Sequence, residues 1–234
     1  NYYKFFLKQA QKYKLKTTTF SKYNHNADIV FLKQKKNKKN FLIDFKINNK
    51  KKSFLISKDL LDYKENILAC ICIIVNYFEI NYLKKNLFLG FKIPQSRGSI
   101  INYKKGSRKI TIIDESYNSN PMSFKFALER FDSNYRENKK KYLLAGNMLE
   151  LGKHSKKLHI EIAKYINRSK IRKTFVYGDL IKHTFTKLKP QIRGKILLNN
   201  TDILDLINKE LPNNSFLMIK GSNSTGLNKI IKNL

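Results

Sequence analysis

The chain has 234 residues, of which 41% are hydrophobic, and this is enough apolar material for one or two folded domains. Its 48 Lys and Arg residues stand against 17 Asp and Glu residues, which gives a formal net charge of +31. Only seven of the basic residues are Arg, which binds phosphates and bases more specifically than Lys does. The content of Lys is high together with the contents of Asn and Ile. The composition therefore favours a coding bias over a nucleic-acid partner. The apolar run at 67–78 is too short to span a bilayer.

The first ninety residues predict helices and strands without a regular order. The predicted elements are helices at 2–13 and 65–78, strands at 16–20, 26–32, 41–47 and 53–56, and a lysine-rich turn at 33–40. Cys70 and Cys72 suit neither a disulfide framework nor a zinc pair, and we expect both to be small buried residues. This order suggests the end of a larger α/β domain with antiparallel strands at its edge. Because the first residue is Asn1 rather than Met and the chain opens on an apparent helix, we expect the sequence to be a fragment, or processed or incomplete.

Residues 89–107 show little periodicity. Four Gly and Pro residues interrupt them: Gly90, Pro94, Gly98 and Gly106. We therefore expect a first domain at 1–90, a hinge at 91–108 and a second domain at 109–234. Arg97 stands in this hinge, where it either reaches an anionic ligand or is an ordinary surface arginine.

From residue 109 onward, strand-like and helix-like segments alternate regularly. The predicted strands are 110–113, 141–145, 173–177, 195–198 and 215–219, and the predicted helices are 121–132, 153–167, 179–188, 201–210 and 225–233. Five such repeats imply a parallel sheet with right-handed crossovers. The loops after the strands should lie along one edge of this sheet, where ligands bind in open α/β folds.

The stretch 110–123, ITIIDESYNSNPMS, combines a buried strand, a polar loop and a helix start. Asn120 and Pro121 are typical of an N-cap followed by proline at the first helical position. This loop, and the Ser and Asn residues at 221–224, could offer hydrogen bonds to an anion. The alternative is that both are ordinary turns whose Asn and Ser residues only cap helices.

Two common nucleotide-binding motifs are absent from the sequence: the glycine-rich dinucleotide fingerprint and the P-loop G-x-x-x-x-G-K-[ST]. A metal site is not predicted either, since His154 and His159 are five apart on a predicted helix. His159 lies among Leu158, Ile160 and Ile162. We expect it to be half-buried with its hydrogen bonds satisfied.

Several loops resemble the Mur ligases, in order and over nearly the whole chain. The family pattern D-D-[SA]-Y-N-A-N-P-x-S is matched by DESYNSNPMS at 114–123, G-D-M-x-E-L-G by GNMLELG at 146–152, and K-G-S-R by KGSN at 220–223. Weaker matches are Arg97-Gly98 for the hinge G-R and NILAC at 66–70 for the N-A-L-A-A helix. The Y-N-x-N-P loop is specific, and it favours the members that add a dipeptide over other Mur ligases and the folylpolyglutamate ligases.

The resemblance implies an ATP-dependent amide ligase of peptidoglycan synthesis, which adds D-alanyl-D-alanine to UDP-N-acetylmuramoyl-tripeptide. ATP and Mg²⁺ would convert the peptide carboxylate into an acyl phosphate, which the dipeptide amine attacks. The implied fold is α/β, with a Rossmann-like, mostly parallel C-terminal sheet and flanking helices after the end of an α/β ATPase-type central domain. Because the P-loop is missing, we expect the fragment alone to be inactive. We expect the ligase to be a cytoplasmic monomer without a membrane span.

The resemblance also implies roles for individual residues. Those expected at the nucleotide are Asn66, Arg97, Asp114, Glu115, Tyr117, Asn118 and Asn120. Those expected near the dipeptide or the acyl phosphate are Asn147, Lys220, Ser222 and Asn223. Asn66 would contact the adenine, and Asp114 or Glu115 would accept hydrogen bonds from the ribose hydroxyls.

Three residues depart from the family pattern. Glu115 replaces an Asp and adds a methylene, Asn147 replaces an Asp and removes a charge, and Asn223 replaces an Arg and removes a charged planar fork. These changes leave a degenerate, non-catalytic Mur-like domain as one alternative. A basic α/β module that binds nucleic acid, motivated by the charge of +31, is the other.

Overall fold

The computed structural model describes residues 2–135 and 140–234, and the chain divides into two compact units between residues 92 and 93. Within the described residues, the first unit contains a four-stranded sheet. Its elements are α1 (Tyr3–Lys12), β1 (Phe20–Ser21), β2 (Ile29–Asn37), β3 (Asn40–Ile47), β4 (Lys50–Ile56) and α2 (Lys64–Ile74). The strand order is β1-β2-β3-β4, with β1 parallel to β2 and the other pairs antiparallel.

Alternate residues of the strands form the core of the first unit, because successive side chains of a strand point to opposite faces. Ile43, Phe45 and Ile47 of β3 are fully buried. Phe54 of β4 contacts Phe45, with ring centroids 6.0 Å apart. The helix α2 packs on β1 and β2 and buries Leu68.

The lysine-rich segment 33–40 was predicted as a turn, and this prediction is wrong. The strand β2 continues to Asn37, and the hairpin turn consists of Lys38 and Lys39 alone. Lysines fit in this part of the strand because their side chains are exposed, so they neither interrupt the ladder nor lose hydration. The strand predicted at 16–20 is also wrong, since β1 consists only of Phe20–Ser21.

The apolar helix predicted at 65–78 ends earlier, at Ile74. Cys70 is exposed and Cys72 is half-buried, so the expectation that both are buried is wrong. The Cys72 thiol donates a hydrogen bond to the Thr18 carbonyl at 3.4 Å. The apolar residues of α2 are not confined to the side that faces the sheet. The sequence therefore does not show that Cys70 lies on the exposed side.

The second unit contains a six-stranded sheet of order β5-β6-β10-β7-β8-β9 within the residues described. Its elements are β5 (Ser99–Lys105), β6 (Arg108–Glu115), α3 (Pro121–Asn134), β7 (Lys141–Gly146), α4 (Ser155–Ile166), β8 (Lys173–Tyr177), α5 (Lys182–Phe185), β9 (Arg193–Leu197), α6 (Asn200–Asp205), β10 (Ser215–Lys220) and α7 (Leu227–Lys232). All neighbouring strands are parallel except β5, which is antiparallel to β6. The predicted α/β class with a mostly parallel sheet is confirmed.

Successive residues of the strands enter two separate cores, one on each face of the sheet. On one face, Leu143 of β7 and Met218 of β10 pack in the cluster that includes Phe124 of α3. On the other face, Leu144 and Leu217 pack in the cluster that includes residues of α6 and α7. Strands buried on both faces read as continuous apolar runs, which is the pattern of β7 and β10.

Residues 99–108 belong to this sheet and not to the hinge expected at 91–108. β5 pairs with β6 through a tight hairpin, with Ile101 opposite Ile112 and Tyr103 opposite Ile110. The helix expected at 179–188 is a single turn, α5, and the one expected at 201–210 continues from α6 as a π-helical turn. Short elements at a sheet edge carry too few residues for their period to be detected.

Candidate functional site

The carboxyl ends of the parallel strands bring four loops to one edge of the sheet. Glu115 of β6 lies opposite Lys220 of β10, which lies opposite Ala145 of β7, and Ala145 lies opposite Val176 of β8. The loops that follow these strands are 116–120, 221–226, 147–154 and 178–181. Most of the residues selected from the sequence lie in these loops.

Asp114 fastens the start of the loop after β6. Its buried carboxylate accepts hydrogen bonds from the N–H and Oγ of Ser116 at 3.0 and 2.5 Å through Oδ1. Its Oδ2 accepts from Ser96 Oγ at 2.8 Å. Because both oxygens are engaged within the protein, a ribose hydroxyl would have to share or displace these partners. The ribose contact of Asp114 stays a prediction.

Glu115 and Lys220 belong to a buried cluster of charges. Arg130 of α3 forms an ion pair with Glu115, with Nη2 2.9 Å from Oε1. Lys220 is only 1% exposed, and its ammonium group donates to the Asn118 carbonyl at 3.0 Å. Burial raises the pKa of Glu115 against the opposing pull of Lys220 and Arg130, and burial lowers the pKa of Lys220 to about 8. In this geometry Lys220 holds a loop carbonyl, and its contact with a substrate stays a prediction.

Arg97 and Tyr117 form an exposed pair at the same edge. The guanidinium carbon of Arg97 lies 4.3 Å from the centre of the Tyr117 ring, which is a cation–π contact. The Tyr117 side chain is 46% exposed. Both side chains are exposed and accessible to a ligand, and their expected contact with the nucleotide stays a prediction.

Asn118 and Asn120 are exposed in the loop that leads into α3. Asn120 Oδ1 accepts from the Ser123 N–H at 2.8 Å, and the Asn120 N–H donates to Ser123 Oγ at 3.0 Å. This reciprocal capping box confirms the predicted N-cap. Ser119, between the two asparagines, has a buried Oγ that makes no hydrogen bond in the part of the chain that the structure describes.

Asn147 and Ser222 join three of the loops. Asn147 Oδ1 accepts from the Ile181 N–H at 3.0 Å, and the Asn147 carbonyl accepts from the Ser222 N–H at 2.9 Å. Ser222 Oγ accepts from the Leu149 N–H at 2.9 Å. Both side chains hold neighbouring backbone, so their expected contact with the dipeptide stays a prediction.

Asn223 and Asn66 are exposed but lie in different units. Asn223 Oδ1 accepts from Asn228 Nδ2 at 2.5 Å. Asn66 lies in the first turn of α2, in the first unit. All the predicted site residues except Asn66 thus lie in the second unit. The structure does not test the expected contact of Asn66 with the adenine.

His159 supports the loop after β7 from within α4. Its Nε2 accepts from the Met148 N–H at 3.0 Å, and its Nδ1 donates to the Ser155 carbonyl at 2.8 Å. The residue is fully buried rather than half-buried, and its hydrogen bonds are satisfied as expected. Burial lowers the pKa of the imidazole, so the side chain is neutral in this position.

A cavity of about 310 Å³ opens among the loops at this edge. Asn147, Tyr177 and Gly178 contribute to its wall, together with Asp179 and Lys182. Lys182 Nζ lies 2.7 Å from Asp179 Oδ1, and this hydrogen bond lowers the pKa of Asp179. Neither charged residue was predicted from the sequence to belong to the site. The signal that could have found them is the Y-G-D loop directly after β8, on the predicted ligand edge.

In residues 2–135 and 140–234, no group of three or more His, Cys, Asp or Glu side chains is placed to hold a metal ion. Across the same two ranges, no helix combines the length and the apolar character needed to cross a membrane.

A family model and curated relatives match this chain, and the residues matched by the family model lie within the second unit. The model described as Mur ligase, glutamate ligase domain, matches residues 101–223. The UDP-N-acetylmuramoyl-tripeptide–D-alanyl-D-alanine ligase of Rickettsia prowazekii (strain Madrid E) is 31% identical over 139 residues, which are 59% of this chain and 30% of that protein. The ligase of the same name from Buchnera aphidicola subsp. Baizongia pistaciae (strain Bp) is 29% identical over 199 residues, which are 81% of this chain and 40% of that protein.

Solved structures show the same fold. The MurF ligase from Thermotoga maritima in complex with ADP superposes with a TM-score of 0.70 at 18% identity, over 97% of this chain and 50% of that one. MurF from Acinetobacter baumannii gives a TM-score of 0.70 at 15% identity, over 97% and 48%. The chain therefore spans about half the length of these structures and less of the curated relatives. Because the family model matches more than half of its residues, this chain belongs to the Mur ligase family.

Proposed function

We propose that this chain is the C-terminal portion of a cytoplasmic, ATP-dependent amide ligase of peptidoglycan precursor synthesis. The ligase would join D-alanyl-D-alanine to UDP-N-acetylmuramoyl-tripeptide, the reaction named for the curated relatives. The observation that carries the proposal is that the Y-N-S-N-P loop and the loops at 147–154 and 221–226 follow neighbouring strands at one edge of the sheet. The last two of these loops also line the cavity. In this proposal the expected domain at 1–90 is the end of the central domain, and the C-terminal domain, expected at 109–234, already includes β5.

The reaction has two steps. ATP gives its γ-phosphoryl group to the terminal carboxylate of the tripeptide, and an acyl phosphate forms. The dipeptide amine then attacks the acyl carbon, the C–N bond forms, the C–O bond to phosphate breaks, and the amine loses a proton. Positioning and charge neutralisation provide most of the rate in phosphoryl transfer.

The cavity has the size and the charges for a small zwitterion. Its volume of about 310 Å³ is at the lower end of the range for small-molecule sites. Asp179 can bind an ammonium group, and Lys182 can bind a carboxylate. These two charges lie 2.7 Å apart at present, and a dipeptide would insert its termini between them. We assign the dipeptide to this cavity.

Arg97 and Tyr117 suit a nucleotide, since they expose a cation and an aromatic face beside the Y-N-S-N-P loop. The sequence contains no P-loop, and the described side chains do not form a Mg²⁺ site. We therefore assign no residue of this chain to the metal. Phosphate binding would come from residues that this sequence does not contain.

The dipeptide site can be tested by NMR titration of the ¹⁵N-labelled chain with D-alanyl-D-alanine. We expect shifts at the amides of Gly178, Asp179 and Thr225, and weaker shifts with L-alanyl-L-alanine. Lys182→Gln should lower the affinity about tenfold through the loss of one charge-assisted hydrogen bond. Lys187→Gln is the matched control, since Lys187 is exposed and lies outside the cavity wall. Shifts confined to other surfaces would contradict this assignment.

A further inference from the structure

The turn Ser96–Gly98 is fastened to the end of β6 by three hydrogen bonds. The Gly98 N–H donates to the Asp114 carbonyl at 2.7 Å, and the Tyr117 N–H donates to the Ser96 carbonyl at 3.0 Å. Ser96 Oγ donates to Asp114 Oδ2 at 2.8 Å. The turn that carries Arg97 therefore belongs mechanically to the second unit.

Arg130 of α3 packs against this turn. A Cβ atom built on Gly98 would lie 1.8 Å from Arg130 Nη2, so the guanidinium occupies the space that any side chain at this position would need. Gly98 also has a φ of +92°, which L-amino acids with a side chain rarely adopt. The same Nη2 lies 2.9 Å from Glu115 Oε1. One side chain thus contacts both the turn and the end of β6.

Burial makes this ion pair costly to break. The side chains of Arg130 and Glu115 are only 13% and 14% exposed. Removing one partner of such a pair leaves the other charge desolvated without compensation. Lys220 and Arg97 add further positive charge near Glu115, and the buried Asp114 carboxylate adds a second negative charge.

We propose that Arg130 is a positioning residue that holds the Ser96–Gly98 turn, and with it Arg97, in place for the nucleotide. Glu115 is then the anionic partner of Arg130 and not a ligand of the ribose. The inference rests on the proposed function, because the nucleotide is the ligand that Arg97 would meet.

Amide hydrogen exchange and ADP binding of the whole chain test the two roles separately. Arg130→Met should speed exchange at the Gly98 and Tyr117 amides at least about tenfold and weaken ADP binding, because the turn loses its support. Exchange at the Leu144 amide, in the centre of the sheet, should stay unchanged. Glu115→Gln removes the charge that compensates Arg130 but keeps an acceptor for it. It should therefore lower the stability of the chain while changing the affinity for ADP less than about threefold.

Lys125→Met is the matched control, because Lys125 lies on the same helix and is 42% exposed. If Arg130→Met fails to fold, Arg130→Lys retains the charge without the planar fork and should give the same local change. Unchanged exchange at Gly98 and Tyr117 in the Arg130 variants would overturn the proposal. So would a Glu115→Gln variant that loses ADP binding while its exchange is unaltered. If the unmodified chain binds no ADP, nucleotide binding needs the phosphate-binding residues that this sequence does not contain. The exchange data then decide by themselves whether Arg130 holds the turn.

Discussion

At the scale of single residues, His159 couples folding to pH. The folded imidazole is neutral because burial lowers its pKa, whereas the unfolded imidazole keeps a pKa near 6.5. The unfolded chain therefore binds more protons below about pH 6.5. The stabilisation by His159 is complete above that pH and is lost as the pH falls towards the lower folded value.

We therefore expect the free energy of unfolding to fall between about pH 7 and pH 5 in urea titrations, in part through His159. His159→Gln should lower stability at pH 7 by about 1–3 kcal/mol, because one buried hydrogen bond is lost, and should flatten the pH dependence. His25→Gln is the control, since His25 is exposed in a loop. Equal pH slopes for the two variants would contradict this account.

The sequence predicted the types of residue at the site better than their partners. Polar residues that follow a strand could be selected because the end of a parallel strand is where ligands bind. Their contacts could not, since Lys220 bonds to Asn118 and Asn147 bonds to Ile181 across long stretches of chain. Glu115 also meets an arginine of α3 that no motif indicates.

At the scale of elements, the loop after β7 packs against the loop after β8, with the Asn147 side chain of the first lying on the backbone of the second. Gly178 has a φ of +114°, and a Cβ atom built there would lie 2.6–2.7 Å from the side-chain amide of Asn147. That amide also receives the Ile181 N–H. The position of the cavity wall thus depends on the absence of a side chain at residue 178.

We expect Gly178→Ala to destabilise the chain by about 2 kcal/mol or more, because it adds a clash to an unfavourable φ. Gly152→Ala is the matched control, since Gly152 has a φ of +57° but no atom within 4 Å of the added Cβ. Its cost should be about 1 kcal/mol. Thermal unfolding of both variants gives the comparison, and equal losses would show that Asn147 moves aside freely.

Elements with a strong local pattern were predictable, and those that depend on distant partners were not. β7, β8 and β10 are apolar runs bounded by polar loops, and their predicted limits differ from the structure by at most one residue. β5 was not predicted because it is an edge strand that is defined by its pairing with β6, and its own sequence does not show this pairing. The second half of β2 was not predicted as a strand because it is rich in lysine. Its pairing with β3, and not the strand propensity of its residues, sets the length of β2.

At the scale of the whole molecule, the charge of +31 opposes folding through self-repulsion. Like charges face each other even within the first sheet, where Lys46 lies opposite Lys51. The buried Asp44 compensates only in part, with its Oδ2 3.0 Å from Lys51 Nζ. Screening by salt should therefore favour the compact chain.

We expect the free energy of unfolding to increase on the order of 1 kcal/mol between about 20 mM and 300 mM NaCl, since the Debye length shortens to several ångströms. Replacing two exposed lysines of β2, as in Lys35→Glu with Lys36→Glu, should reduce this salt effect. Urea titrations at each ionic strength provide the measurement. A stability independent of salt would mean that the lysines are too far apart to repel one another.

The central place of β10, between β6 and β7, has a consequence for how the protein is made. β10 is in the middle of the second sheet, but during synthesis it emerges from the ribosome only after β5–β9. Until then, β6 and β7 each present an unpaired edge, and unpaired edges invite association with other chains. A nascent chain at that stage is a sheet in two halves, so premature termination after β9 and before β10 would leave both halves without the strand that joins them.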